Sequence, residues 1–568
     1  MADSFMKSLF SGAIADSLVF PYPEPTRSES DEIHALCDAI RRFGRGVDSA
    51  AIDRDERIPD ALLDELRALG GFGWAVPREH GGAGLSTTAT ARLVQELAGV
   101  DLSLAITLAS HQSIGLSALL YLGSDELKAR YLPKLASGEM IAAFALSEAA
   151  AGSDASGIRT RADRDGDHYV LRGEKVWVTN GSRADLFTVF ARTSPAEDGA
   201  KPRITAFLVE RGPGVTTGAD VETLGVRGAS VTGLTLDGVR VHESHVIGEV
   251  GRGFRVAMEV LNRGRLALAG SSIGASKELL RLSVERVKSR KAFGRALSEF
   301  ALVKDKLASM AADIFAVESA TYLTTGLVDG EPTDYSIESA ICKVVSSEGL
   351  WRVANETLQI VAGTGYMRDQ PYERMLRDAR LNLVFAGTNE ILRCFIALSG
   401  MQEPGKDIQE ASRALREPIK GFGLLSDFAL KKARSALGRD RISKAHATLA
   451  RESVVLEDGA AQLARNVDKV LRRHGKEIAE MQYTQRRAAD VAIDLFALAA
   501  CVSRTTRAIE RRGEEGARRE IELTSVFAGG AEKRIASNLA SFDRNDDELR
   551  KAVAAKVCVD KGYPLDVI

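Results

Sequence analysis

A run of small and hydroxyl-bearing residues from Ala143 to Asp154 has the composition of a ligand-binding turn. Within it, Gly152 allows a backbone to approach a planar or phosphorylated ligand closely. Ser147 and Ser153 supply hydroxyl groups, and the amides of such turns bind anions. The chemistry indicated is binding of a flat or phosphate-bearing cofactor, although a plain turn before a strand explains the same residues.

Two further clusters combine aromatic, hydroxyl and basic side chains. In the run 175–181, Trp177 and Thr179 precede an Asn-Gly pair that is typical of a tight turn. The run 289–295 holds Arg290 near Phe293, and a guanidinium suits bidentate binding of a phosphate. A hairpin with a packed tryptophan explains the first cluster as well, and a solvated helix end explains the second.

The elements that must position these clusters follow from the period of the apolar residues. Helical spacing covers about residues 30–140, and short β-rich runs separated by turns follow it. Helical spacing then returns, in long segments such as 303–327. The predicted fold class is α+β. The predicted domains are a helical domain at 1–140, a β-domain at 141–250, a helical bundle at 251–402, a linker at 403–449 and an extra helical domain at 450–568.

Composition places the chain among ordinary globular proteins. Its 568 residues are too many for a single compact core, so several domains are expected. Its net charge of -2 gives no general attraction to nucleic acid. Five cysteines stand singly, which argues against a disulfide framework or a zinc site and suits a reducing compartment. No metal site is predicted. No apolar run reaches about 18 residues, so no membrane span is predicted, and we expect a bacterial-type cytoplasmic location.

Together, these motifs resemble those of the acyl-CoA dehydrogenases. Residues 147–154 resemble the N-terminal signature of that family, with Ala149 in place of the usual proline. Residues 290–294 match its Arg-x-x-Phe-Gly motif, and residues 385–388 resemble its C-terminal signature. The start of the chain and its C-terminal block resemble the very-long-chain branch. The resemblance covers nearly the whole chain and implies the acyl-CoA dehydrogenase fold, FAD, a homodimer and a fatty acyl-CoA substrate.

The resemblance also implies roles for individual residues. Trp177 would pack on the flavin ring, Thr179 would bond near flavin N5, and Arg290 would reach the FAD pyrophosphate of the neighbouring subunit. The residues assigned to FAD are Phe144, Leu146, Ser147, Ser153, Trp177, Thr179, Arg290, Phe293, Gln359, Gly363 and Thr388. The residues assigned to the acyl-CoA are Arg265, Ser103, Ser110 and Gly387.

Ala386 occupies the position where the resemblance places the catalytic base. The α-proton of a thioester needs a positioned carboxylate to remove it, and donors on the thioester oxygen to stabilise the resulting charge. Ala386 keeps the backbone N–H that serves as one of those donors in the family. Some relatives carry the base on an earlier helix, where this chain has Gly264. Glu373 and Glu390 are close in sequence, and Glu390 should face away.

Two explanations account for Ala386. The retained flavin contacts favour a Glu-to-Ala change introduced to trap substrate, and the alternative is a natural protein that has lost its base. The predicted function is FAD-dependent α,β-dehydrogenation of long-chain fatty acyl-CoA to trans-2-enoyl-CoA, with the base absent. The rival hypothesis is a non-catalytic interaction or assembly protein that binds acyl-CoA and FAD. Electrons would pass to an electron-transfer flavoprotein or another acceptor.

Two segments bear on acyl length and on membranes. Small residues such as Ser103 and Ser110 favour a deep acyl pocket, although ordinary helix packing explains them equally well. Residues 420–446 combine apolar and basic side chains, as does a helix that lies on an anionic membrane. That would place the protein peripherally at the inner membrane. The alternative is a helix that docks one domain on another.

Overall fold

The computed structural model describes residues 4–193, 203–330, 333–406, 408–409 and 440–565. The chain forms two compact units, and each is described separately. One unit spans residues 22–391, and the other combines residues 4–21 with the described part of 392–565. The first helix, α1 (Phe5–Phe10), belongs to the second of these units. The predicted α+β class is confirmed, because helices and one large sheet occur together.

The larger unit begins with helices, several of which start at a side-chain cap. Thr26, Ser86, Asp101 and Ser124 each accept a hydrogen bond from the backbone N–H three residues on, which satisfies a donor of the first turn. A π-helical stretch, Ser110–Gly115, joins two of them. The helices are α2 (Arg27–Gly44), α3 (Ser49–Asp55), α4 (Asp60–Ala68), α5 (Thr87–Val100), α6 (Leu102–Ala109), α7 (Ser117–Leu122) and α8 (Asp125–Ser137).

An eight-stranded sheet follows. Its strands are β1 (Ala142–Ala145), β2 (Arg161–Asp165), β3 (His168–Thr179), β4 (Leu186–Arg192), β5 (Ile204–Glu210), β6 (Val215–Thr217), β7 (Val231–His242) and β8 (Val246–Ile247). The order is β6-β7-β3-β2-β4-β5-β8, and β1 pairs with β4 in parallel. Alternating side chains of β3 and β7 are buried, as expected for strands with one face on a core.

The hairpin interpretation of residues 175–181 is wrong. Strand β3 pairs with β2 and β7, whereas β4 pairs with β1, β2 and β5, so β3 and β4 are not neighbours. The chain still turns at Asn180, which has φ 64°. Asn-Gly therefore marks a turn between two strands that are separated by β2, because the residues that favour positive φ serve any sharp reversal.

The larger unit ends in a helical bundle. Its elements are α9 (Gly253–Ser289), β9 (Lys291–Ala292), β10 (Arg295–Ala296), α10 (Ala301–Asp329), α11 (Ser336–Val361), α12 (Pro371–Leu381) and the start of α13 (Asn389–Gly400). Helix α9 passes close to α5. A Cβ on Gly270 would stand 2.6 Å from the Ala91 carbonyl oxygen, so this approach requires a residue without a side chain.

The smaller unit is helical. Its C-terminal helices are α14 (Ala450–His474), α15 (Gln482–Gly516), α16 (Arg518–Ala540) and α17 (Asp547–Asp560). Helix α1 packs on α14 and α15, where its apolar side chains are buried and the Phe5 ring centroid lies 6.2 Å from that of Phe496. Residues 4–21 therefore do not belong to the helical domain predicted at 1–140, because their apolar side is covered by the C-terminal helices.

Most of the predicted linker at 403–449, and most of the amphipathic segment at 420–446, lies outside the described residues. Both stay predictions. In the described part, Ile14 N–H donates to Asp440 Oδ2 over 2.8 Å within the smaller unit.

One helical stretch in the described residues is long and apolar enough to span a membrane, although no such span was expected from the sequence. Leu102–Leu122 has a mean hydropathy of 1.2 in its most apolar window, and 89% of that window is buried within the protein. Burial on all sides explains the composition, because a helix that is hydrophobic all round belongs in a core or a membrane. Here it is a core helix.

The packing of α1 gives the first prediction. Leu9 is fully buried, so Leu9→Ala should lower the free energy of unfolding of the smaller unit by about 2–5 kcal/mol. Leu549→Ala is the matched control, because that leucine is 64% exposed and its loss should change stability by no more than about 0.5 kcal/mol. Urea unfolding followed by circular dichroism measures both. Equal losses would mean that α1 does not pack as described.

Candidate functional site

The run 143–154 forms a closed turn at the end of β1. Glu148 N–H donates to the Ala151 carbonyl over 3.1 Å, and Ala151 N–H donates back over 3.0 Å. Because the tight turn closes without the proline that is usual in the family, Ala149 leaves it intact. Ser147 is half-buried beside the turn, and Ser153 beyond it is exposed.

A buried ion pair ties this turn to β3. Lys175 is 1% exposed, and its Nζ donates to Glu148 Oε1 over 2.7 Å and to the Leu146 carbonyl over 3.1 Å. The Glu148 carboxylate also accepts from the Arg159 and Thr160 N–H groups, over 2.6 and 3.0 Å. The pair therefore fixes one end of the predicted cofactor turn against the strand that carries Trp177.

Both members of the pair are charged near neutral pH. Burial alone would raise the pKa of the Glu148 carboxyl, but hydrogen bonds from Lys175 and Thr160 bring it below its ordinary value of 4.5. Burial lowers the pKa of Lys175 to about 8, against the opposing effect of Glu148. Lys175 and Glu148 both lie inside the sequence motifs, but their pairing cannot be read from the sequence because it depends on the fold.

A β-bulge presents Trp177. Lys175 is opposite Leu234 and Val178 is opposite Thr232, so three steps along β3 match two along β7. The extra residue lets Trp177 adopt φ 55°, and its ring is 64% exposed. Bulges re-aim a side chain and often lie next to active sites. Thr179, two residues on, is half-buried in the same strand.

The run 289–295 begins at the exposed C-terminal end of α9 and continues as a hairpin. Strands β9 and β10 pair Arg295 with Ala292, and the two turn residues, Phe293 and Gly294, have φ 51° and 80°. Positive φ at both positions is typical of a type I′ turn. The turn leaves the Phe293 ring 94% exposed, and Arg290 is exposed at the end of α9.

Residues 359–364 lie next to that helix end. Arg286 in the last turn of α9 donates from Nη2 to Thr364 Oγ1 over 3.2 Å, which brings the end of α11 close to the hairpin. Gln359 and Gly363 are both exposed there. A Cβ on Gly363 would meet no atom within 4 Å, so that backbone faces open space. Apart from Thr388, the predicted FAD residues thus form two groups, one on the β-domain and one here.

Ala386 lies in the loop between α12 and α13. It has φ 56° and Gly387 has φ 94°, so the backbone is left-handed at two consecutive residues. Buried Lys343 donates from Nζ to the Gly387 carbonyl over 2.8 Å, and Thr388 Oγ1 accepts from Ile391 N–H over 3.4 Å. The loop conformation is therefore held by partners other than the side chain at 386.

Arg265 is brought to the same loop. It is 6% exposed, and it donates from Nε to the Ala386 carbonyl over 3.4 Å and from Nη1 to Asn262 Oδ1 over 2.8 Å. Burial lowers the pKa of Arg265 to about 10, so the guanidinium stays charged near neutral pH. Gly264 precedes it, and a Cβ there would stand 2.6 Å from Ile114 Cγ2.

The predicted acyl-pocket serines are both buried. Ser103 Oγ accepts from the Gly228 N–H over 3.2 Å, which gives it a structural role between α6 and the loop before β7. Ser110 starts the π-helical stretch. Next to it, His111 Nδ1 accepts from the Ala142 N–H over 3.0 Å, and burial lowers its pKa to about 4. The neutral imidazole joins that stretch to β1.

The carboxylates close to Ala386 in sequence are Glu373, Asp378 and Glu390. Glu373 forms hydrogen bonds of 2.7 and 3.1 Å to the Arg377 guanidinium, and Glu390 is exposed. Burial raises the pKa of Asp378 to about 7, which would suit a base, but its Oδ1 accepts from the Val226 N–H over 2.5 Å. Asp378 faces a cavity of about 290 Å³ that is lined by residues from 98–102, 275–282 and 371–378. Ala386 does not line this cavity.

Four family descriptions match the chain in order. "Acyl-CoA dehydrogenase" N-terminal, middle and C-terminal domains match residues 30–139, 143–239 and 251–401, and "ACAD9/ACADV, C-terminal domain" matches 447–563. The mitochondrial very long-chain specific acyl-CoA dehydrogenase of Homo sapiens is 38% identical, and the match covers 99% of this chain and 89% of that protein. The chain belongs to the acyl-CoA dehydrogenase family. The family is one of flavoprotein oxidoreductases.

Bacterial relatives and solved structures agree with that family. A probable acyl-CoA dehydrogenase of Bacillus subtilis is 33% identical over 89% of this chain and 86% of its own length. The acyl-CoA dehydrogenase from Bacillus anthracis, solved in complex with FAD, is 28% identical with a TM-score of 0.79 over 100% of this chain and 97% of that one. Butyryl-CoA dehydrogenase from Megasphaera elsdenii is 31% identical with a TM-score of 0.63, over 66% and 99%. The predicted acyl-CoA dehydrogenase fold with an extra C-terminal domain is confirmed.

The buried ion pair gives a second prediction. Lys175→Met should lower the free energy of unfolding by about 3–5 kcal/mol, because it leaves the Glu148 carboxylate buried without its cation. Glu148→Leu combined with Lys175→Met should recover much of that loss. Arg164→Met is the control, since its 2.8 Å pair with Glu243 is exposed and should contribute no more than about 1 kcal/mol. Urea unfolding at neutral pH measures all three.

The same variants report the pH dependence of the pair. The folded pKa of Glu148 is depressed, so its contribution is fully present above pH 4.5 and is lost as pH falls through the folded pKa. The stability gap between the wild type and the double variant should therefore shift against the wild type below pH 4.5. A gap that stays constant there would contradict a depressed Glu148 pKa.

Proposed function

We propose that the protein, which belongs to an FAD-dependent family, binds a long-chain acyl-CoA at this site and dehydrogenates the acyl chain slowly because its catalytic carboxylate is missing. The observation that carries the proposal is Ala386, whose left-handed loop, glycine neighbour and buried Arg265 are kept without a carboxylate side chain. The family shows acyl-CoA dehydrogenation as the underlying chemistry. This chain differs from that chemistry in lacking the base.

The residues of the β-domain group fit a flavin. Trp177 exposes a large apolar ring to solvent, and a flavin could cover it. The hydroxyls of Ser147 and Thr179 lie on the two segments that the ion pair joins. Phe144 and Leu146 would contact the ring through the backbone at the end of β1. FAD, when bound, would accept a hydride from the β-carbon of the substrate.

The residues of the helical group fit the adenine and pyrophosphate end of an FAD molecule that is bound by a second copy of the protein. Arg290 would pair with a phosphate, and the exposed ring of Phe293 would be covered there. Gln359 and the open backbone at Gly363 would complete the contact. A homodimer belongs to the proposal, because the family motif that Arg290 and Phe293 match contacts the cofactor of the neighbouring subunit.

At the substrate end, the Ala386 N–H would donate to the thioester oxygen and stabilise negative charge on it. Arg265 would orient the loop through the Ala386 carbonyl. A long acyl chain is supported by the very-long-chain relatives and by the small residues of α6, although Ser103 itself bonds to Gly228. The electron acceptor, such as an electron-transfer flavoprotein, and a cytoplasmic or membrane-peripheral location belong to the same proposal.

Ala386→Glu should restore fast flavin reduction. A positioned general base typically contributes about 10²–10⁴-fold, and the loop that would position it is already in place. Anaerobic stopped-flow spectrophotometry with palmitoyl-CoA should therefore show a rate increase of about that size. Gly264→Glu is the matched comparison and should restore little, because its side chain would meet Ile114 at the Cβ.

Two outcomes would contradict the proposal. Rapid flavin reduction by the unaltered protein would mean that another group is the base. An Ala386→Glu variant that binds FAD and acyl-CoA but stays inert would favour the rival function, a non-catalytic acyl-CoA and FAD-binding interaction or assembly protein.

Arg290→Ala should weaken FAD retention. A hydrogen bond to a charged group contributes about 1.5–3 kcal/mol, so FAD should dissociate about ten- to hundredfold more readily. Lys288→Ala is the control, since it removes an exposed cation two residues earlier on the same helix end. Flavin fluorescence after gel filtration measures retention. Equal retention in the two variants would remove Arg290 from the cofactor site.

A further inference from the structure

The backbone at Ala386 and Gly387 lies against two buried cations. Arg265 donates to the Ala386 carbonyl and Lys343 donates to the Gly387 carbonyl. A carboxylate at position 386 would add a negative charge to this region, and alanine adds none. The side chain that distinguishes this chain from the family motif is therefore missing where positive charge is concentrated.

The two cations have different surroundings. Lys343 also donates to Asn389 Oδ1 over 2.8 Å, and Asn389 in turn donates to the Glu348 carboxylate over 3.1 Å, so it belongs to a network with an anion. Arg265 is also buried, and it donates to the Ala386 carbonyl and to the Asn262 amide oxygen. A cation in a low-dielectric interior attracts an anion far more strongly than one in water. An anionic group on the substrate would thus be favoured beside Arg265.

We propose that the substrate supplies its own carboxylate on the α-carbon, so that the protein acts on a 2-carboxyacyl-CoA, an alkylmalonyl thioester. The inference rests on the proposed function and takes Ala386 as the natural residue. The space and charge that a glutamate would occupy are then taken by the substrate carboxylate. Arg265 binds and orients that group.

Loss of CO₂ replaces proton abstraction in this reaction. The bond between the α-carbon and the carboxylate carbon breaks, and its electron pair becomes the second bond between the α- and β-carbons. The β-hydrogen leaves with its own electron pair for the flavin, which is reduced and takes up one proton. One 2-carboxyacyl-CoA and one oxidised FAD give one CO₂, one trans-2-enoyl-CoA and one reduced FAD. The Ala386 N–H again stabilises charge on the thioester oxygen.

Binding is tested first, because it does not depend on turnover. The probes are tetradecylmalonyl-CoA and palmitoyl-CoA, each with sulfur in place of the β-carbon so that no β-hydride can leave. Isothermal titration of the FAD-loaded protein should show the carboxylated analogue binding at least about tenfold more tightly, as expected for a charge-assisted hydrogen bond. Arg265→Gln should remove that preference, so that the ratio of the two dissociation constants falls to about one.

Turnover is tested with the oxidisable thioesters and two variants at position 386. The unaltered protein should release one CO₂ for each flavin that tetradecylmalonyl-CoA reduces, and should reduce flavin at least about a hundredfold more slowly with palmitoyl-CoA. Ala386→Glu should reverse this selectivity, because its carboxylate repels that of the substrate and supplies a base. Ala386→Gln occupies the same space without charge, and should gain no reaction with palmitoyl-CoA.

Equal binding of the two analogues by the unaltered protein, or no CO₂ from tetradecylmalonyl-CoA, overturns the inference. Equal weakening of the carboxylated analogue by Ala386→Gln and Ala386→Glu also overturns it, because the effect would be steric. These two variants decide the matter if Arg265→Gln does not fold. Failure of the proposed function looks different: Ala386→Glu would then gain no reaction with palmitoyl-CoA, whatever the carboxylated thioester does.

Discussion

The contact between Lys175 and Glu148 is the interaction on which the cofactor region depends. It is made inside the β-domain, where a charge without its partner would be strongly destabilising. Because Lys175 also binds the Leu146 carbonyl, and Val176 N–H bonds to the Ser147 carbonyl over 3.0 Å, the turn and the bulge form one rigid assembly. An apolar pair of similar volume could fill the space, but it would not provide these directional bonds to the turn.

Three of the predicted site residues have strained backbone conformations. Trp177 in the bulge, Phe293 in the hairpin turn and Ala386 in the loop all have positive φ without being glycine. Such conformations persist when surrounding structure imposes them, and they cluster at functional sites. In this protein the imposing partners are visible: β7 opposite the bulge, the β9–β10 pair around the turn, and Lys343 on the loop.

The sequence predicted the regular secondary structure best. The segment 303–327 lies within α10, and the β-rich runs lie in β3, β4 and β5, because apolar spacing and short apolar runs report helices and strands. The site residues could be found by motif, yet their presentation could not. A bulge depends on the register between β3 and β7, which local residues do not specify, and the Lys175–Glu148 pair joins segments 27 residues apart. Helix α1 was misassigned because its apolar side matches any core, and only packing decides which one.

The left-handed loop at Ala386 also matters for how such a site changes over generations. Its conformation is maintained by Lys343, Gly387 and the Thr388 hydroxyl, none of which depends on the side chain at 386. Alanine and glutamate codons can differ in the middle base alone, so a point mutation could exchange the two residues. The loop would not have to change its conformation first. A lineage could therefore cross between base-dependent and base-independent chemistry in either direction, and selection would act on the substrate available and not on the scaffold.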